Sequence, residues 1–318
     1  MIDLSAAAAF LMDNDNFTIL LHTSPDGDAV GSGYALCHVL QQLSKHARVI
    51  CSDPIPSRYA YFTDKVPMQQ FDDECVIAVD LADVLLLGTL REQYGERVQL
   101  CIDHHASNTG YAERNFINPM AAANCENVYN LIKQLGVPID SITADALFTG
   151  ISTDTGCFRY SNCTADTHRI AAHLIELGAA AGEINRVMFE TKSRGRIEVE
   201  RMALESIEYH FGNRCALMTV TNEMRQMIDS IELDGLAALP RQIEGVQIGV
   251  TLKEMDSDQY KVSVRTHAPI SASAICARLG GGGHARAAGC QLHMSAEEAK
   301  QRLLGAVADE MEQSGCKG

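Results

Sequence analysis

Apolar and polar positions alternate through the first half of the chain in two rhythms. Phe17-Thr18-Ile19-Leu20-Leu21-His22 is a short, mostly apolar run with the length of a buried strand. A polar, Gly-containing turn follows, and helical spacing then runs from about Ala29 to Leu43. Ala47–Cys51, Cys75–Val79 and Val98–Ile102 are the next strand candidates, and helical patterns fill Leu81–Arg91 and Asn127–Leu135. This succession predicts βαβ units: a doubly wound, mostly parallel sheet covered by helices, an α/β fold. From Ile139 to about Ser193 the pattern is mostly helical. Asp140, Thr164 and Ala181–Gly182 read as helix starts, Gly136 and Gly178 as stops. Asp72-Asp73-Glu74 reads as a solvated turn before a strand.

The apolar pattern breaks at Thr191-Lys192-Ser193-Arg194-Gly195-Arg196, where three basic residues and a glycine intervene. A domain boundary falls here, giving residues 1–190 and 191–318. The second part predicts a helix over Ile197–Tyr209, strands at Cys215–Val220, Val246–Leu252 and Tyr260–Arg265, and a helix over Ser271–Leu279. A Gly-rich loop and a last helix from about Ser295 complete a smaller α+β domain.

A chain of 318 residues that is 46% hydrophobic and 21% charged has the balance of a globular protein with a real core. The formal net charge is −15. That argues against a long nucleic-acid tract, which needs a basic stripe to release counterions, and leaves short phosphorylated ligands open. The 11 cysteines are scattered with no C-x-x-C pair, the pattern of reduced thiols in a cytoplasmic protein. The opening MIDLSAAAAFLMDND lacks a positive n-region and reads as a short amphipathic helix, and no apolar stretch is long enough to span a membrane.

The acidic and histidine residues sit at the ends of predicted strands. His22 ends the first and is followed by Asp26 and Asp28, Asp80 ends the Val76–Val79 run, and Asp103-His104-His105 ends another. In an open parallel sheet those ends lie side by side and form the ligand crevice. Asp154, at the end of a helical run, is a fourth contributor. Carboxylates and imidazoles without thiolates suit Mn²⁺ or Mg²⁺ better than structural zinc. About six such groups suit two ions sharing a carboxylate.

His22-x-x-Pro25-Asp26-Gly27-Asp28-Ala29-Val30-Gly31-Ser32, Val79-Asp80, Asp103-His104-His105 and Thr153-Asp154-Thr155-Gly156 resemble the four motifs of the DHH phosphoesterase superfamily. Gly280-Gly281-Gly282-Gly283-His284, followed by Ala287-Ala288-Gly289, resembles the glycine-rich signature of the DHH-associated C-terminal domain. Together they cover nearly the whole chain in the expected order. The resemblance implies two divalent ions, most simply Mn²⁺. One would be held by His22, Asp26 and Asp80, the other by Asp28, Asp80, His104 and Asp154, with Asp80 as the bridge. It implies a catalytic pair as well. His105 would face the substrate and donate to a phosphate oxygen, and Asp103 would orient a neighbouring ligand, though a plain strand-end cap explains Asp103 equally well. Arg265, Gly281, Gly282, Gly283 and His284 would bind the substrate end away from the scissile bond through an anion-binding nest. A flexible turn with a surface arginine is the other reading of that segment.

The implied reaction is hydrolysis of phosphate esters in short oligoribonucleotides and in 3′-phosphoadenosine 5′-phosphate by a metal-activated water. A cyclic dinucleotide phosphodiesterase is the alternative within the superfamily, and a nucleotide-binding regulator that has lost catalysis is the alternative outside enzymes. All six implied ligands are present, which disfavours the regulator. Oligomeric state stays open, a homodimer included.

Other polar features have ordinary explanations. Gly31-Ser32-Gly33 lacks the spacing of a dinucleotide fingerprint or P-loop and reads as close helix packing. His38, His168 and His173 lie on helical stretches away from the strand ends. Cys157 and Cys163 have no acid–base partner in view. Tyr160 and Asn162 follow the fourth motif; they are placed to reach a base or ribose, or simply to form a loop.

Overall fold

A computed structural model describes residues 1–228, 233 and 235–315. Two compact units are present, Met1–Thr191 and Lys192 onward.

The first unit is built on five parallel strands: β1 (Phe17–Leu20), β2 (Ala47–Ile50), β3 (Cys75–Val79), β4 (Leu100–Asp103) and β5 (Arg114–Ile117), in the order β2-β1-β3-β4-β5. Side chains alternate between two apolar layers. Phe17, Ile19, Ile77 and Val79 join the larger core with the helices Leu4–Asp13, Gly27–Gln42, Asn124–Leu135 and Ser141–Asp154. Leu20, Val76, Ala78 and Cys101 face the other way, against Leu87 and Tyr94. Burial of both faces explains why β3 is a continuous apolar run and why β1 is broken only by Thr18.

The helix signals at Asp140, Thr164 and Gly136 have physical counterparts. The Asp140 and Thr164 side chains accept from the third backbone amide of their helices, and Gly136 closes the preceding helix in a left-handed conformation. Three expectations differ. Leu81–Arg91 does not form one α-helix: Val84–Leu90 is a pair of 3₁₀ turns kinked at Gly88 (φ 57°), followed by the short helix Arg91–Tyr94. Strand β5 escapes the apolar pattern because Arg114-Asn115-Phe116-Ile117 is an edge strand with one exposed end. Asp73 is no solvated turn residue: it accepts from the Thr18 hydroxyl at 2.5 Å and the Tyr94 hydroxyl at 2.9 Å, and pairs with Arg48.

The second unit carries six strands, β6 (Glu208–His210), β7 (Cys215–Val220), β8 (Ile248–Asp256), β9 (Gln259–Thr266), β10 (Gly282–His284) and β11 (Ala287–His293), ordered β10-β11-β9-β8-β7-β6. Only β7 and β8 run parallel among these neighbours. Val250, Leu252, Val262, Val264 and Leu292 pack on the helices Ala272–Ala277 and Ala296–Gln313. The expected helix Ile197–Tyr209 is instead Arg194–Glu205, with residues 208–210 in β6. The glycine run is partly strand rather than loop. Gly282, Gly283 and His284 pair with Gly289, Ala288 and Ala287. The ten described cysteines are free thiols, and no helix among the described residues is long and apolar enough to cross a membrane.

Candidate active site

Four loop starts at the C-terminal edge of the first sheet converge. The chain leaves β1 through Leu21 into His22. Asp26 caps the helix Gly27–Gln42, accepting at 3.0 Å from the amides of Asp28 and Ala29. Asp80 follows β3 with φ 53°, a left-handed conformation that is costly for a side-chain-bearing residue. Asp103 is the last residue of β4, with His104 and His105 beyond it, and Asp154 ends the helix Ser141–Asp154.

Both ring nitrogens of His22 and His104 are accounted for. His22 Nδ1 donates to the Thr23 carbonyl at 2.7 Å and His104 Nδ1 to the Ala121 carbonyl at 3.1 Å. Each therefore turns Nε2 inward. His22 Nε2 stands 3.8 Å from Asp26 and 3.9 Å from Asp80. His104 Nε2 stands 3.4 Å from Asp80, 3.6 Å from Asp154 and 3.7 Å from Asp28. Most of these separations are longer than good hydrogen bonds. They match two donors on a common cation, each about 2.1 Å from it. Asp80 is 3% exposed, and its Oδ1 is buried without a hydrogen-bond partner. An orphaned carboxylate oxygen of that kind is costly unless a cation meets it. The donor sets His22–Asp26–Asp80 and Asp28–His104–Asp154 each have their ligand atoms within 4.8 Å of one another, as does Asp80–His104–His105.

Asp28 has a second task. The helix Asn124–Leu135 begins after Ala123, which offers no side-chain cap. The Asp28 carboxylate takes that place, accepting from the amides of Asn124 at 2.5 Å and Cys125 at 2.9 Å. Its charge thus meets the positive end of a helix. Small residues permit this proximity. A Cβ on Gly27 would lie 2.3 Å from Thr153 Oγ1, one on Gly31 would lie 2.4 Å from the Ala146 carbonyl oxygen, and one on Gly150 would lie 2.7 Å from Asp28 Oδ1. Glycine here brings two helices together, so that the start of one (Asp28) meets the end of the other (Asp154).

Asp103 is fully buried and accepts from four donors: the amides of His104 (2.7 Å) and His105 (3.2 Å), Asn108 Nδ2 (2.6 Å) and His105 Nδ1 (2.8 Å). Although burial opposes it, His105 and Asn108 hold this carboxyl below the usual range. His105 thereby keeps a fixed ring whose Nε2 is free of that bond, on a side chain 43% exposed.

The cluster is electrostatically crowded. Burial and the neighbouring Asp28 push Asp80 well above the ordinary carboxylate range, and the same two causes raise Asp154 to about 7. Burial would lower His104, but Asp80, Asp28 and Asp154 outweigh it and raise the imidazole to about 10. Without cations the site compensates by holding protons.

The asparagines and backbone groups that orient this cluster were not evident in the sequence. Asn127 Nδ2 donates to the Asp103 carbonyl at 3.1 Å, and Asn118 Nδ2 to Asn127 Oδ1 at 3.0 Å. The only hint is the density of asparagine between residues 115 and 127. His38 bonds Asp140 at 2.8 Å and His173 bonds the Tyr129 hydroxyl at 2.8 Å; both lie outside the cluster.

In the second unit, Arg265, Gly281, Gly282 and Gly283 line one cavity of about 770 Å³. His284 is exposed on β10 and is not among its lining residues. The amides of Gly280 and Gly281 close the preceding helix, on the carbonyls of Ala277 (3.1 Å) and Cys276 (2.8 Å), so the run is not a row of free amides. Sequence reading missed Lys253 and Lys261. They are paired across β8 and β9, as Thr251 is with Ser263, and all four line the cavity with Arg265. The signal was present: Thr251/Lys253 and Lys261/Ser263/Arg265 alternate with the apolar residues Val250, Leu252, Val262 and Val264 along the two strands.

A family model described as the DHH family N-terminal domain matches residues 16–151, and one described as the DHHA1 domain matches residues 216–313. The chain is 32% identical to the bifunctional oligoribonuclease and PAP phosphatase NrnA of Thermus thermophilus, over 93% of this chain and 90% of that protein. It is 25% identical to the protein of the same name from Bacillus subtilis, over 87% and 90%. Its fold is similar to the crystal structure of an exopolyphosphatase-related protein from Bacteroides fragilis, with a TM-score of 0.87 at 22% identity, covering 96% and 95% of the two chains.

Proposed function

Since the chain belongs to the DHH family and continues into a DHHA1 domain, we propose that it is a metal-dependent phosphoesterase that hydrolyses short oligoribonucleotides and 3′-phosphoadenosine 5′-phosphate. The observation that carries this reading is Asp80, buried, with an oxygen that has no hydrogen-bond partner, between two imidazoles that both aim Nε2 at it. His22, Asp26 and Asp80 would hold one divalent cation, and Asp28, Asp80, His104 and Asp154 the other. Asp80 would serve both donor sets, because a carboxylate offers two oxygens where a neutral imidazole offers one free nitrogen. Mn²⁺ fits this donor set of oxygen and imidazole nitrogen. When bound, such ions supply Lewis-acid charge to a phosphate ester and make a neighbouring water easier to deprotonate.

The chain's own groups do the rest. His22 and His104 are each held in one tautomer by a backbone carbonyl, so their basic nitrogens are always presented inward. Asp103 holds His105 by Nδ1, so in the protonated ring Nε2 is left to donate to a phosphate oxygen or to the leaving oxygen. In the second unit, Arg265, Lys253 and Lys261 supply cationic contacts for a phosphate remote from the reacting one, which suits short ligands with a terminal phosphate. Gly281–Gly283, which line the same cavity, would support this grip, with His284 a further donor from outside that lining. The net charge of −15 would otherwise repel such anions.

The test is incubation with Mn²⁺ and a panel of di- to pentaribonucleotides, 3′-phosphoadenosine 5′-phosphate, cyclic dinucleotides and pyrophosphate. Release of mononucleotides and of inorganic phosphate is expected from the first two classes. Cleavage of cyclic dinucleotides or pyrophosphate alone would overturn the substrate assignment.

A further inference from the structure

The residues that follow the fourth motif form an unusual turn. Gly156, Cys157 and Phe158 have φ of 56°, 60° and 61° in succession. Two of these three carry side chains for which positive φ is costly, so surrounding contacts must enforce the shape. Thr155, fully buried, supplies them. Its carbonyl accepts from Arg159 N (2.9 Å) and Tyr160 N (3.0 Å), and its hydroxyl accepts from Phe158 N (3.1 Å). The Cys157 amide returns to the Ser152 carbonyl at 2.7 Å. Phe158 packs against Phe148 and His168, and Asn162 Nδ2 fastens the far end to the carbonyls of Ala122 (2.9 Å) and Asp154 (3.2 Å). Asn162 is therefore spent on the loop and is not available to a ligand through that group.

The consequence of this turn is the placement of Tyr160. A Cβ on Gly156 would lie 2.3 Å from Cζ and 2.5 Å from each Cε of the Tyr160 ring. Near-equal distances to those three atoms put the glycine over the face of the ring, not at its edge. One face is thus pressed on backbone where only glycine fits. The side chain is nevertheless 55% exposed, so the other face is open. Exposure of an aromatic ring costs hydrophobic free energy, and a strained turn that holds it there adds to that cost. Gly156 is two residues from Asp154, within about 7.6 Å along the backbone.

We propose that the open face of Tyr160 is a stacking platform for the nucleobase joined to the phosphate held at the Asp–His cluster. This rests on the reaction proposed above. The glycine under the ring is at most about 7.6 Å of backbone from Asp154, a reach that a ribose between base and phosphate can bridge. Stacking on an aromatic face is tolerant of base identity, because every base has a π-face. The platform therefore selects nucleotides over other phosphate esters without selecting a sequence.

The experiment uses the full chain with Mn²⁺. KM is measured for a diribonucleotide and for the same compound lacking the base next to the scissile phosphate, in wild type, Tyr160→Leu and Tyr160→Phe. The preference for the intact compound is expected to fall about tenfold in Tyr160→Leu and to be kept in Tyr160→Phe, since phenylalanine retains the π-face. A 2-aminopurine base in that position should also be quenched on binding to wild type and less so to Tyr160→Leu. An unchanged preference in a folded Tyr160→Leu variant, with the wild type hydrolysing dinucleotides, overturns the platform alone. Failure of the wild type to hydrolyse any nucleotide overturns the reaction and the platform together.

Discussion

The two polar sites of this protein are built on opposite principles. In the first unit, His and Asp groups are gathered at one edge of a sheet whose faces are both buried, and Asp28, Asp80 and Asp103 are themselves at most 3% exposed. In the second unit, Lys253, Lys261 and Arg265 project from one face of a sheet whose other face carries the core. A buried cluster of like charges is rigid and costly, and is suited to gripping small cations. An open basic face costs little and is suited to holding an anion in water. The contrast teaches that loss of the first site should appear in kcat, and loss of the second in KM.

The strongest way to break that division is Asp80→Ala. Hydrolysis should fall by at least about 10³-fold while circular dichroism stays native, because the carboxylate shared by the two proposed donor sets is lost and no core packing. More than a few per cent of residual activity would refute the cluster as the reaction centre.

His105→Ala should follow, with kcat reduced about 10²- to 10³-fold and Mn²⁺ affinity by calorimetry unchanged. Loss of Mn²⁺ binding would instead make His105 a ligand. Arg265→Ala and Lys253→Ala sharpen the other side: KM for short oligonucleotides should rise roughly tenfold with kcat within about twofold. An unchanged KM would remove the basic face from substrate binding.

Metal removal gives a smaller but diagnostic effect. In EDTA-treated protein, Asp154 and His104 bind protons more tightly folded than unfolded. The stability they contribute is present at acid pH. It is lost as pH rises, between about 4 and 7 for Asp154 and between about 6.5 and 10 for His104. The melting temperature of the metal-free protein should therefore fall by several degrees from pH 5 to pH 8. Mn²⁺ should restore more at pH 8 than at pH 5, since protons compete for the same groups. A flat metal-free profile in differential scanning calorimetry would contradict the crowded-carboxylate reading.

Much of the architecture was legible because it depends on local rules. Strands buried on both faces favour apolar runs; β3 is unbroken and β1 is interrupted only by Thr18. Asp140 and Thr164 announce helix starts because a short oxygen-bearing side chain satisfies amides three residues on. Failures came where a segment's neighbours overrule its own pattern. The glycines at 282–283 carry no strand propensity, and enter β10 because β11 offers a partner. Residues 84–90 have helical spacing but are broken by Gly88 at positive φ.

Sequence by itself determined which chemistry the chain carries. His22, Asp26, Asp28, Asp80, Asp103, His104, His105 and Asp154 are covalent facts, and their position at predicted element ends implied a common rim. Only the tertiary structure decided the rest. It shows that Asp28 caps a helix 96 residues away and that Asp80 keeps a buried oxygen without a hydrogen-bond partner. It fixes the inward nitrogens of His22 and His104, and it puts Lys253 beside Lys261. These depend on desolvation and on contacts between distant segments, and neither quantity exists until the chain is packed.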